Sequence, residues 1–171
     1  AMQDPNPLVG GNGLALLRRR GVEVEVGVGA DQARALNPGL IKRMSSGLPY
    51  VRCKLAASLD GWTAMASGES RWITSEAARR DVQFLRARSS AIVTGVGTLL
   101  ADDPSLNVRL GADELPGAEP GEPVRQPLRV VVDSRLRTPP TARMLALPGR
   151  TLIACVDQDP THAVPLETAG A

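Results

Sequence analysis

The chain has 171 residues, 43% of them hydrophobic, with 20 basic against 18 acidic side chains. That is enough for one domain, or one domain and a piece of another, and no run approaches the ~20 apolar residues of a membrane span. A net charge of +2 is not the concentrated positive face of a nucleic-acid binder, and with only 2% aromatic residues the core must be built from Val, Leu, Ala and Ile.

In chain order, GLALLRRR (13–20) reads as a helix stopped by Gly21, its arginines favoured by the helix C-terminus. VEVEVGV (22–28) alternates as a strand should, and DQARALNPGLIKRM (31–44) is a helix interrupted at Asn37-Pro38-Gly39. SSGLP (45–49) is turn chemistry and marks a junction between two regions, 1–46 and 47–171. YVRCKLAAS (50–58) is the next strand candidate, followed by the small-residue loop AMASGES (64–70). A helix comes after it, capped by Thr74 or Ser75, with Ala78, Val82 and Leu85 on its buried stripe and Glu76 paired with Arg80.

AIVTG (91–95), LRVVVDS (128–134) and TLIACV (151–156) are further strands, and the Gly/Pro-rich stretch 111–127 is a surface loop. Strands alternating with helices imply an α/β fold with parallel pairing. Cys53 and Cys155 lie in apolar runs and read as buried thiols. With His162 they offer no zinc site by any usual spacing. The opening residues lack the basic and apolar regions of a signal peptide, so cytoplasm is the default. Both ends look truncated: 1–46 is too short for its own core, and the chain stops soon after a strand.

The stretch TGVGTLLADDP (94–104) has more glycine than a turn needs. At a strand's carboxyl end, glycines let a ligand approach the main chain, Thr98 adds a hydroxyl, and Asp102 can close the site. Equally, this is a plain turn with Asp102 and Asp103 solvated. SGESRWIT (67–74) places Ser70 and Trp72 before a helix N-terminus, and Trp72 is either a core plug or a stacking surface. Arg86, at the rim of its helix's buried face, and Arg109 could converge with Ser70 on a phosphate ester, or each could form a surface ion pair.

Residues 49–109, with the strings KLAASLDG, SGES.WIT and T.LADDP..NVR, resemble the reductase domain of the bifunctional riboflavin-biosynthesis deaminase/reductases, and residues 1–28 and 33–44 resemble the tail of their deaminase domain. The resemblance implies a dihydrofolate-reductase-like α/β fold, incomplete here, behind the end of a cytidine-deaminase-like α/β domain. It implies NADPH-dependent reduction of the ribosyl group of a phosphorylated ribosylaminopyrimidine to ribityl. Ala56, Trp72, Thr98, Asp102 and Ser134 then correspond to cofactor contacts. Ser70, Arg86, Leu106 and Arg109 correspond to substrate contacts, and Asp102 is the best catalytic candidate. The family's zinc motif and a later Glu-Gly-Gly segment have no counterpart in these residues, so zinc would belong only to the absent part of the deaminase domain. No nucleic-acid or membrane partner is implied, and a homo-oligomer is compatible with the reading. The rival reading is a non-catalytic nucleotide-binding module of the same fold.

Overall fold

The computed structural model describes residues 2–156 and 159–171. They form two compact units, 1–55 and 56–171. The contact boundary therefore falls within an extended stretch that begins shortly after the 46/47 junction drawn from sequence.

The first unit holds α1 (Asn12–Arg19), α2 (Ala30–Leu36) and α3 (Pro38–Ser46). Gly21 ends α1 with φ +78°, and the Gly21 and Val22 N–H groups donate back to the carbonyls of Arg18 and Leu17. This pair of bonds needs a left-handed residue, which glycine adopts without penalty. Asn37 separates α2 from α3 because Pro38 has no N–H to continue the first helix but suits the first position of the second. None of the three helices contains a buried residue.

Two expected strands do not form. VEVEVGV (22–28) and YVRCKLAAS (50–58) carry strand-like patterns, yet no neighbouring strand pairs with either among the described residues. Val22, Val26, Tyr50, Val51 and Leu55 stay exposed. Alternation makes a strand only where a ladder partner exists. The cysteines also differ from expectation: Cys53, in the unpaired stretch, and Cys155, just past the end of the last strand, are free and exposed.

In the second unit, α4 (Glu76–Ala87) starts where Ser75 Oγ accepts the Ala78 N–H at 3.2 Å. Its inward stripe is shifted from the expected one. Val82 and Leu85 are half-buried, Ala78 is exposed, and the buried residue is Gln83. Arg80 does not pair with Glu76 but with Glu114 at 2.9 Å, and that guanidinium, with the Gly111 N–H, holds the Glu114 carboxyl below its ordinary range.

Strands β1 (Ala91–Gly95), β2 (Leu128–Val132) and β3 (Thr151–Ala154) form one sheet in that order, all parallel. Register aligns Thr94, Val131 and Ile153 on one face, with Ile92, Arg129 and Thr151 one step earlier. Against that face pack Val96 and Leu99 of α5 (Val96–Asp102), Ala142, Met144 and Leu145 of the turn-rich stretch after β2, and Leu166 of α6 (Pro160–Thr168). Val93, Val132 and Leu152 on the opposite face are 64%, 49% and 51% exposed, although parallel sheets usually have both faces covered.

Central β2 carries two buried charges on either side of Val131. Arg129 Nε donates to Thr151 Oγ1 at 3.1 Å, and its Nη2 to the carbonyls of Leu147 and Gly149 at 3.0 and 2.7 Å. Gly149 is required there: its φ is +108°, and a Cβ would meet Gln126 Cβ at 3.0 Å. Asp133 follows β2, with Oδ2 accepting from Thr138 N and Oγ1 at 2.7 and 2.8 Å. Burial raises the Asp133 pKa, but the hydrogen bonds from Thr138 and neighbouring backbone together lower it below the ordinary value.

A carboxyl whose folded pKa is depressed contributes stability above its unfolded pKa, about 3.9, and loses it as pH falls through the lower folded value. Thr138→Val should therefore cost about 1.5–3 kcal/mol, the range for a hydrogen bond to a charged group, read by urea denaturation at neutral pH. That loss should shrink under acid conditions where Asp133 is protonated. An equal loss at both pH values would show that the Asp133 charge does not contribute.

Candidate functional site

Because the strands are parallel and in register, their carboxyl ends open on one edge. β1 leaves through Gly95 straight into α5, so the glycine-rich stretch is not the loop its composition suggests but a strand-to-helix turn with Val96 and Leu99 inward. Apart from its chain neighbours and the backbone of its own helix, nothing lies within 4 Å of where a Cβ would stand at Gly95 or Gly97, so the main chain is open there. Thr98 is exposed on the first turn of α5, and exposed Ser134 follows Val132, the register partner of Gly95. The two hydroxyl residues thus share one sheet edge.

Asp102 ends α5 and is half-buried. Its carbonyl accepts from Arg71 Nη2 at 3.0 Å, which ties the Ser70–Trp72 loop to the end of α5. Trp72 is 72% exposed, with the Arg79 guanidinium 4.4 Å from its ring centroid. It is therefore an exposed ring with the Arg79 guanidinium over one face, and not a core plug. Asp103 acts differently, for its carboxylate accepts the Arg143 N–H at 2.9 Å and fixes the chain after β2.

The remaining candidates lie on 106–109 and α4. Leu106 is buried with φ +48°, Arg109 is exposed, and Arg86 is half-buried with Nη1 donating to the Asn107 carbonyl at 2.9 Å. Burial lowers the Arg86 pKa, and the nearby Arg109 charge lowers it further. Among the described residues no carboxylate forms an ion pair with either arginine. A half-buried guanidinium that feels a second cation and has no carboxylate partner is chemistry that a dianion would match.

Comparison with known proteins decides the lineage. Residues 49–165 match the model of the RibD C-terminal domain. The chain belongs to that family. It is 50% identical over 161 residues to the riboflavin biosynthesis protein RibD of Escherichia coli, covering 93% of this chain and 44% of the relative. It is 53% identical over 148 residues to that of Haemophilus influenzae, covering 84% and 39%. Among solved structures it resembles Acinetobacter baumannii RibD with a TM-score of 0.82 and 49% identity, covering 97% of this chain and 45% of that one. A Thermotoga maritima structure, titled a diaminohydroxyphosphoribosylaminopyrimidine deaminase/5-amino-6-(5-phosphoribosylamino)uracil reductase, gives 0.79 and 31%, covering 94% and 44%. The chain thus spans less than half the length of the RibD proteins it matches.

Within this RibD C-terminal domain, the structure brings Arg86 against residue 107 and the Arg109 main chain against Gln83 on the same helix, sets Thr98 and Ser134 on one edge, and links the Ser70–Trp72 loop to Asp102. Ala56 is half-buried in the extended stretch before Ser58. Gln83 and Gln126 escaped the sequence reading although both bond to residues 108–109. Gln83 lies off the apolar stripe, and Gln126 sits in a loop whose composition suggests only solvent.

The arginines should differ in their effect on stability. Arg86→Ala leaves the Asn107 carbonyl without its donor and should cost about 1–3 kcal/mol. Arg109→Ala removes only an exposed like charge and should be neutral to slightly stabilising, within about 0.5 kcal/mol. Chemical denaturation of the two variants checks the order. A larger loss for Arg109→Ala would show that its charge is stabilised by the fold instead of repelled by Arg86.

Proposed function

We propose that this chain contributes to NADPH-dependent reduction of the ribosyl group of a phosphorylated ribosylaminopyrimidine, a step of riboflavin biosynthesis. The observation that carries the reading is the Arg86–Arg109 pair, two adjacent cations with no carboxylate partner, in a chain of this family. Such a pair suits the substrate's phosphate, with Ser70 as a further donor and Leu106 as the apolar wall.

The residues fit the cofactor as well. Open main chain at Gly95 and Gly97 leaves space for a dinucleotide against the sheet edge. Exposed Thr98 and Ser134 provide hydroxyls beside it, and exposed Trp72, on the face opposite the Arg79 guanidinium, can stack on a flat ring. NADPH, when bound, supplies the hydride that reduces the imine carbon of the ring-opened ribosylamine. The chain's own residues position and stabilise: the arginines hold the phosphate, and the half-buried Asp102 orients cofactor and substrate. Residues 1–46 we read as the tail of the deaminase domain, since the Acinetobacter likeness covers 97% of the chain. Zinc and the deamination itself would then belong to the remainder of such a protein, and the setting would be cytoplasmic. No helix among the described residues is long and apolar enough to cross a membrane.

Ribose 5-phosphate and NADPH titrated separately into the protein test the assignment. Arg86→Ala and Arg109→Ala should each weaken ribose 5-phosphate binding about tenfold to a hundredfold, the worth of a charge-assisted contact, and leave NADPH affinity unchanged. A matched loss of NADPH affinity would move the arginines to the cofactor.

A further inference from the structure

Residues 106–109 belong to no helix or strand, yet Leu106 and Val108 are only 7% and 4% exposed. Buried main-chain groups need partners, and here side chains supply them. Gln126 Oε1 accepts the Val108 N–H at 2.8 Å, while Gln126 Nε2 donates to the Val108 carbonyl at 3.2 Å. One side-chain amide thereby reproduces both bonds of a β-bridge. The same Nε2 donates to the Val124 carbonyl at 3.3 Å, which anchors the amide to its own loop. Gln83, 6% exposed on α4, accepts the Arg109 N–H at 3.1 Å. Arg86, one turn further along α4, takes the Asn107 carbonyl.

Glutamine suits both positions, since its amide donates as well as accepts and its stem is long enough to reach a neighbouring segment. The clasp also acts beside a strained position, since Leu106 is a bulky residue in the left-handed region. Arg109 follows Val108 directly, so fixing the Val108 and Arg109 main chain fixes where the Arg109 side chain begins. Without that restraint, repulsion from Arg86 would favour conformations that carry Arg109 away.

We propose that Gln126 and Gln83 are positioning residues that fix the main chain from which Arg109 projects, next to the Asn107 carbonyl that Arg86 holds, and so set up the two-cation phosphate site. This rests on the phosphate reading above. The glutamines touch no ligand; they act through Arg109.

The test is a double-mutant cycle read as ribose 5-phosphate affinity by calorimetry, with NADPH affinity and the circular-dichroism melt as controls. Gln126→Ala should weaken ribose 5-phosphate about tenfold, close to the loss of one charge-assisted contact, with NADPH affinity unchanged. Placed on Arg109→Ala, the same substitution should cause no further loss, because the residue it positions is gone. Gln83→Met, which keeps the volume and removes the acceptor, should behave alike and carries the test if Gln126→Ala does not fold. A loss that persists undiminished in the Arg109→Ala background would overturn the positioning role, as would folded glutamine variants of unchanged affinity. If instead Arg86→Ala and Arg109→Ala themselves leave ribose 5-phosphate binding intact, the phosphate reading fails and the positioning role falls with it.

Discussion

Parallel pairing about β2 is the constraint from which the rest of the second unit follows. It obliges all three strands to leave through one edge, so Gly95, Asp133 and Cys155 open neighbouring paths from adjacent strands. The first path becomes α5, whose Val96 and Leu99 return to the core, and whose last residue meets Arg71. The second is turned back by Asp133, whose carboxylate closes on Thr138 and leads the chain into the buried Met144 stretch. Candidate residues more than thirty positions apart, Thr98 and Ser134, both lie just beyond the carboxyl ends of paired β1 and β2.

Polar side chains here take the place that ladders hold elsewhere. Arg129 finds two carbonyls and a hydroxyl, not a carboxylate; Asp133 takes its hydrogen bonds from an amide and a hydroxyl, with the exposed Arg137 guanidinium only at 4.0 Å. Gln83 and Gln126 serve residues 108 and 109 in the same way. Removing one of these partners leaves a buried polar atom unsatisfied, which costs stability. These positions are therefore intolerant of truncation although none is apolar.

The contrast explains what could be read from the amino acids alone. AIVTG, LRVVV and TLIA were legible as strands because each finds a partner nearby, and Ser75 was legible as a cap because capping is local. VEVEVGV and YVRCKLAAS carry equally good patterns and form nothing, since pairing depends on other segments. The glycines of 94–104 suggested a loop, but Val96 and Leu99 stand three apart and wind the stretch into a helix that buries both. At the site, Arg86 and Arg109 stood out by charge and motif. The glutamines did not, for a side chain that replaces a β-bridge has no periodicity to betray it.

Arg86 also shows how structure and ligand compete for one group. Its Nη1 is committed to the Asn107 carbonyl, and it stands half-buried beside a second cation, two circumstances that disfavour its charge. A fold selected for stability alone would place a carboxylate here or replace Arg109 with a neutral side chain. Local destabilisation of this kind is tolerable only if something else keeps the segment in place and something else neutralises the pair. The first requirement is met from within the chain, by amides that hold residues 108 and 109 from two directions. The second is not met by any ion pair among the described residues. A phosphate dianion, as proposed, would answer it, offsetting the penalty that burial and the Arg109 charge place on Arg86.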